Sequence, residues 1–386
     1  MHAWLAVGRR WVTSSCSSMW LPVALVALLG CLQPTLRELP DCEPAVAPSA
    51  SPVDRSGSAS TADPPADNPP PSTELTSPSA LLSTSSPFDR GPLAVRTFEV
   101  AACRQGPPVP LRVHTPEAAG QYAVVLFHHG FMTRNSFYDS ILTHVASHGL
   151  IVIAPQSYEP GLGALSGNPN VVQEAEFSRQ IVSWTETGLE AAIRAAMTSD
   201  VRSDTSNGKE AGAIKPLSNL LTIGGHSRGG LAAWLVCEAL PGRFAGIVGV
   251  DPVGGAGGRV STRGTQPQSS SAESMAGPPA VILGAGLGGS CAPTGRNYEQ
   301  FFAATAGPAW KIVAIEQGHG DMLDESAAVA AGQVCDTSRN RDPMRRLTAG
   351  LIVLTARRGA LADATTDAIL DGITDASPTP VVIERK

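Results

Sequence analysis

Three polar residues in the second half of the chain have the types and order needed to activate a serine. Gly225-His226-Ser227-Arg228-Gly229 lies between an apolar β-like run and an apolar helical run. A serine hydroxyl is a weak nucleophile until a base removes its proton. Exposing it takes a sharp strand-to-helix turn, and glycines two residues on either side remove Cβ atoms that would clash there. The helix that begins at the turn favours negative charge near its N-terminus. A capping serine on a glycine-rich turn is the plainer reading of the same five residues.

The partners of such a serine follow it in the order acid, then histidine. Asp251 is the first residue after the buried-strand run AGIVGV, 24 residues beyond Ser227. That interval holds one helix and one strand, which puts Asp251 at the carboxyl end of the neighbouring strand. After Ser227 the chain has one histidine, His319, in the flexible Gly318-His319-Gly320 that follows the strand-like KIVAIE. Asp321 and Asp324 compete with Asp251 as the orienting acid, although their closeness to His319 makes the geometry awkward. An oxyanion hole needs two backbone N–H groups. Arg228, after the serine, supplies one. Phe131, in the loop His128-His129-Gly130-Phe131 after the early strand AVVLF, supplies the other. His128 and His129 adjoin and point to opposite sides of an extended chain, so they do not make a metal pair. Gly284-Ala285-Gly286-Leu287-Gly288-Gly289 matches a dinucleotide-binding pattern, but Ser290-Cys291-Ala292-Pro293 follows in place of a helix.

Apolar strand-like runs alternate with helical ones from about residue 93. The strands are expected at Ala123–Phe127, Leu150–Ala154, Leu220–Ile223, Ala245–Val250, Ala280–Leu283 and Lys311–Ile315. Helices are expected over 136–147, 171–198, 227–240, 297–304 and 342–358. This alternation implies an α/β fold with a mostly parallel central sheet and helices on both faces. Two segments interrupt it. Ser199–Pro216 is polar and reads as a surface loop. Gly254–Gly277 is rich in Gly and Ser, and is either a flap beside Asp251 or a solvated insertion.

The chain has 386 residues and a net charge of −6, with only 5% aromatics, so neither a basic field nor a stacking surface invites nucleic acid. Residues 1–37 contain no Asp or Glu and include the apolar run 20–32, too short to span a bilayer comfortably. They read as a targeting segment, a secretory signal or an organellar transit peptide. Ala27-Leu28-Leu29-Gly30-Cys31 also resembles a lipoprotein cleavage box. Residues 41–90 hold ten prolines, and the Pro/Ser/Ala-rich stretch 38–92 reads as a disordered linker. A catalytic domain over 93–360 and a tail over 361–386 complete the expected organisation. Cys237 lies in an apolar helix as a buried thiol. Cys103, Cys291 and Cys335 offer one bridge, whose pairing the spacing leaves open.

The stretches VVLFHHGFMTRNSFYDSILTHVASHGLIVIAPQSY, TIGGHSRGG, GIVGVDPVGG, CAPTGRNYEQFF, GHGDMLD and DPMRRLTAGLIV, in that order, resemble the chlorophyllases. These are α/β-hydrolase-fold esterases of plants and algae. The resemblance implies Ser227 as nucleophile, Asp251 as orienting acid and His319 as base. It implies hydrolysis of the phytyl ester of chlorophyll to chlorophyllide and phytol, without metal or cofactor, and a chloroplast location. Secretion, or anchoring through residues 20–32, is the alternative. The chain departs from the family in having Gly254 where an acid is usual and His128 where an aliphatic residue is usual. Met132, Phe137 and Tyr138, beside the oxyanion loop, and Phe301 and Phe302 are the candidates for an apolar substrate cleft. A hydrophobic ester substrate and peripheral membrane association fit such a cleft. Two other readings stand beside this one. One is a different esterase of the same fold, lipase-like or similar to platelet-activating-factor acetylhydrolases, which also place the acid 24 residues past the serine. The other is a non-catalytic binding module on this scaffold.

Overall fold

Among the described residues nine strands form one sheet in the order β1-β2-β4-β3-β5-β6-β7-β8-β9. The strands are β1 Val95–Val100, β2 Leu111–Pro116, β3 Gly120–His128, β4 Leu150–Pro155, β5 Ile214–His226, β6 Phe244–Val250, β7 Ala280–Ala285, β8 Ala309–Ala314 and β9 Val381–Arg385. Pairing is parallel from β4 through β3, β5, β6 and β7 to β8. It is antiparallel at both margins, β1 with β2, β2 with β4, and β8 with β9. The computed structural model describes residues 39–42, 85–165, 169–198, 213–255, 277–361 and 365–386, all within one compact unit, Leu39–Lys386. The expected targeting segment, most of the linker, and residues 199–212 and 256–276 lie outside the described residues.

The helices are α1 Asp139–Ser147, α2 Leu162–Leu165, α3 Val171–Thr187, α4 Leu189–Thr198, α5 Arg228–Ala239, α6 Tyr298–Ala304, α7 Glu325–Ala331, α8 Asp342–Leu361, α9 Thr365–Asp371 and α10 Ile373–Ala376. Consecutive side chains of a strand face opposite ways, and β3 shows the consequence. Val125 and Phe127 pack with α1 and α8 residues such as Leu142 and Leu347. Val124 and Leu126 pack with α3 and α5 residues such as Ile181 and Trp234. Both faces are buried, which is why the central strands read as unbroken apolar runs. This is the α/β architecture that the strand–helix alternation implies. Among the described residues no helix is long and apolar enough to cross a membrane.

The structure differs from the sequence reading at the margins. The expected tail 361–386 is part of the fold: α9 and α10 lead into β9, which pairs with β8 from Val381 to Arg385. Its apolar part is only the three residues Val381–Ile383, of which Val381 and Ile383 pack on the core while Val382 faces out, so the run is too short to read as a buried strand. The expected linker ends before residue 93. Phe88 is buried in the core, the Gly91 N–H donates to Ser147 Oγ, and Cys42 is bridged to Cys103. The second disulfide joins Cys291 to Cys335, and Cys237 is a buried free thiol. Residues 214–216 are not loop. They open β5 and pair with Gly120–Tyr122.

Among the described residues five histidines besides His319 are buried: His114, His128, His129, His148 and His226. Desolvation lowers His114, His129 and His148 to about 4 and His128 to about 3, so the folded chain keeps them neutral. In the unfolded chain they bind protons near pH 6.5. Between pH 6.5 and about 4 the unfolded state therefore holds protons that the folded state lacks. Stability falls with falling pH there, by about 1.4 kcal/mol per pH unit for each such histidine. Chemical denaturation at pH 7.5 and pH 5 is expected to show a clear loss at pH 5. Equal midpoints would contradict the neutral, buried assignment.

Candidate active site

Ser227 sits between the end of β5 and the start of α5 with φ 55° and ψ −122°, a conformation that costs a non-glycine residue energy. Three backbone hydrogen bonds hold it there. Its N–H donates to Val250 O at 3.0 Å, and its carbonyl accepts from Gly230 and Val253, each at 3.0 Å. The flanking glycines are required by contact. A Cβ on Gly225 would lie 2.5 Å from the Gly229 backbone, and one on Gly229 would lie 2.5 Å from the carbonyl oxygens of His128 and His129. The turn can only close as tightly as it does without those atoms.

Asp251 follows β6 directly and is fully buried, with φ 39°. Its N–H donates to Leu283 O at 2.7 Å, and its Oδ1 accepts the Ala285 N–H at 3.1 Å, so β7 fixes the carboxylate. The free oxygen, Oδ2, lies 2.6 Å from His319 Nδ1, and His319 Nε2 lies 2.9 Å from Ser227 Oγ. A carboxylate accepts the Nδ1 proton, which leaves the Nε2 lone pair directed at the serine hydroxyl. These three residues thus form one hydrogen-bonded chain, suited to proton removal from the hydroxyl. The two rival aspartates are engaged elsewhere. Asp321 accepts from the Gly318 and Ser338 amides at 2.6 and 2.8 Å, which shapes the His319 loop. Asp324 precedes α7 and accepts from the Ser140 N–H and hydroxyl.

The loop after β3 lies beside the serine. Gly130 to Thr133 form a turn in which only Met132 has positive φ, 57°, the pattern of a type II turn. The Phe131 amide has no acceptor among the described residues. Arg228 opens α5, and the first amides of a helix have no partner within it. The Phe131 amide, in the loop after β3, and the Arg228 amide, at the start of α5, are therefore both left open.

An apolar cavity of about 460 Å³ opens onto Ser227 and His319. Phe131, Met132 and Phe137 line it, with Leu323, Ala327, Ala331, Val334 and the Cys291–Cys335 bridge. Tyr138 does not line it, contrary to expectation. Its ring is fully buried, and its hydroxyl accepts the Gly130 N–H at 3.0 Å and meets His226 Nδ1 at 2.7 Å. A phenol inside the core must find polar partners, and here they come from the site's backbone and elbow. Phe301 and Phe302 are likewise core residues, and the Phe301 ring packs against Trp234. His128 turns to Ser178 and His129 to Gly130 and Ser157, on separate sides of the chain.

Two supporting residues have no distinct mark in the sequence. His226 Nε2 lies 2.9 Å from the His319 carbonyl, which ties the elbow to the loop that carries the histidine. Adjacency to Ser227 was the one hint of this. Glu174, on α3, is buried and accepts from Arg228 Nε at 2.6 Å. Burial raises Glu174 to about 7 against the pull of Arg228.

A family model described as Chlorophyllase matches residues 83–385. The chain is 33% identical over 265 residues to Chlorophyllase-2 of Arabidopsis thaliana, covering 64% of this chain and 76% of the relative. It is 32% identical over 261 residues to the protein named Chlorophyllase-1, chloroplastic, of Citrus sinensis, covering 64% and 71%. To Chlorophyllase type 0 of Chenopodium album it is 31% identical over 280 residues, covering 68% and 73%.

Proposed function

The chain belongs to the chlorophyllase family of carboxylic ester hydrolases, and on that premise we propose that it cleaves the phytyl ester of chlorophyll through an acyl-enzyme on Ser227. His319 Nε2 takes the Ser227 proton as Oγ attacks the ester carbonyl. Asp251 holds the imidazole in the required tautomer and stabilises its cation. The oxyanion is bound by the N–H groups of Phe131 and Arg228. His319 returns the proton to the leaving phytol oxygen. Water, activated by the same histidine, then attacks the acyl-enzyme and releases chlorophyllide.

The observation that carries this reading is the Asp251–His319–Ser227 chain of 2.6 and 2.9 Å opening onto an apolar cavity. The phytyl chain has no hydrogen-bonding group, so it is the part of the substrate that such a lining suits. The cavity's 460 Å³ falls within the range of about 300–1,000 Å³ common for ligand sites. Rates on chlorophyll a and on short p-nitrophenyl esters test the assignment. The expected result is a higher kcat/KM on chlorophyll a, with phytol released. Fast cleavage of the short esters without phytol release would move the protein to a lipid or polyester esterase.

We also infer action in the chloroplast. Residues 1–37 hold no acidic residue, and a relative carries the name chloroplastic. A fluorescent protein fused after residues 1–92 is expected to enter plastids, and secretion of the fusion would overturn this.

A further inference from the structure

An amide that donates into an oxyanion hole is half of a peptide group, and its carbonyl points the opposite way across a rigid plane. For the Phe131 N–H that carbonyl is Gly130 O. It is held by an unusual number of donors. His129 Nδ1 lies at 2.9 Å, Thr133 Oγ1 at 2.9 Å, the Thr133 N–H at 3.4 Å and Tyr158 Oη at 3.1 Å. A carbonyl oxygen has two lone pairs, so this one is saturated. His129 Nε2 accepts the Ser157 N–H at 3.2 Å, which leaves the proton on Nδ1 for Gly130 O. Three of the four donors belong to the loop itself. Tyr158 is the one that arrives from elsewhere, three residues past the end of β4.

The Tyr158 side chain is itself well fixed. Its ring packs edge-on against the His129 ring at 5.0 Å. The Arg228 guanidinium covers it at 5.4 Å and reaches over the Phe131 ring at 5.5 Å. Arg228 is anchored in turn by Glu174 and by the Pro169 carbonyl. One rigid assembly therefore joins both residues that present N–H groups beside Ser227.

We propose that Tyr158 is a positioning residue of the oxyanion hole: its hydroxyl, donating to Gly130 O, orients the Gly130–Phe131 peptide so that the Phe131 N–H meets the developing charge. The proposal rests on Ser227 being the nucleophile. A hydrogen bond to the carbonyl also polarises the peptide and strengthens its N–H as a donor. The gain is larger for an oxyanion than for a neutral ester carbonyl, so Tyr158 acts on kcat more than on KM.

The test is Tyr158→Phe, which keeps the ring and removes the hydroxyl. Loss of a direct oxyanion donor costs about 10²–10³ in kcat. Loss of one support behind the donor is expected to cost about tenfold, with KM within about twofold. Affinity for a reversible inhibitor that forms a tetrahedral adduct, a trifluoromethyl ketone, should fall by the same factor as kcat, while the thermal midpoint moves little. Unchanged kcat and inhibitor affinity would overturn the proposal. So would a fall in kcat that inhibitor affinity does not follow, the mark of a general structural defect. Tyr158→Ala separates the ring from the hydroxyl. A lower thermal midpoint in the Ala variant, beside wild-type stability in Phe, assigns packing to the ring and orientation to the hydroxyl. An equal loss of stability in both variants counts against the proposal. Wild-type protein left unlabelled at Ser227 by a fluorophosphonate would instead remove the reading beneath the proposal, and the proposal with it.

Discussion

Replacing Ser227 with alanine is expected to lower turnover of chlorophyll a by about 10⁶-fold, the scale of losing a nucleophile that acts as one unit with its base. The substitution removes only Oγ. That oxygen has no capping bond to α5, and its partner is His319 Nε2 at 2.9 Å. The three backbone hydrogen bonds that hold residue 227 in its strained conformation remain, because they use backbone atoms alone. Alanine is no more strained at φ 55° than serine, so the elbow should keep its shape and the protein its stability. KM should change little, since the apolar cavity is untouched. Initial rates on purified protein, with circular dichroism to show an intact fold, check this. Activity within a hundredfold of wild type would take the nucleophile away from Ser227.

Asp251→Asn is expected to cost about 10⁴-fold in kcat with the fold retained, and the reason lies in which proton His319 carries. Asp251 Oδ1 accepts the Ala285 N–H, and an asparagine keeps its carbonyl oxygen on that donor. Its NH₂ group then faces His319 Nδ1, which must accept instead of donate. The ring proton moves to Nε2, toward Ser227, and the base has no lone pair for the hydroxyl. Asparagine tolerates the φ of 39° at this position, as aspartate does. A loss smaller than tenfold would hand the orienting role to another acid. Asp321 and Asp324 are poor substitutes: Asp321 Oδ2 already accepts from the Gly318 and Ser338 amides while its Oδ1 faces Arg341, and Asp324 accepts from Ser140.

The central strands and the Ser227, Asp251 and His319 trio were legible because each feature is local. A parallel strand buried on both faces is a continuous apolar run, and the acid and histidine sit at the ends of such runs. The margins were not legible for the same reason. β1, β2 and β9 are antiparallel, and the outer two are half exposed, so polar residues interrupt VRTFEV and the apolar part of VVIER is only three residues long, and neither stands out as an apolar strand. Tyr138 was read as cleft because it is aromatic and lies near the oxyanion loop. Only three-dimensional packing reveals that its hydroxyl serves Gly130 and His226 from inside the core. The same applies to Tyr158, His129 and Glu174. Tyr158 and Glu174 meet partners far away in sequence, His129 meets Ser157 as well as its neighbour Gly130, and nothing in their neighbours along the chain marks them. Cys42–Cys103 was hidden by the composition around Cys42, which resembles linker although the residue is fastened to the domain.

The proposed reaction is hydrolysis of the phytyl ester by attack on its carbonyl carbon. The most direct measurement is reaction with chlorophyll a in H₂¹⁸O, with mass analysis of both products. Chlorophyllide is expected to carry one ¹⁸O in its new carboxylate and phytol none. Label in phytol, or no cleavage of chlorophyll a by the folded protein, would contradict it.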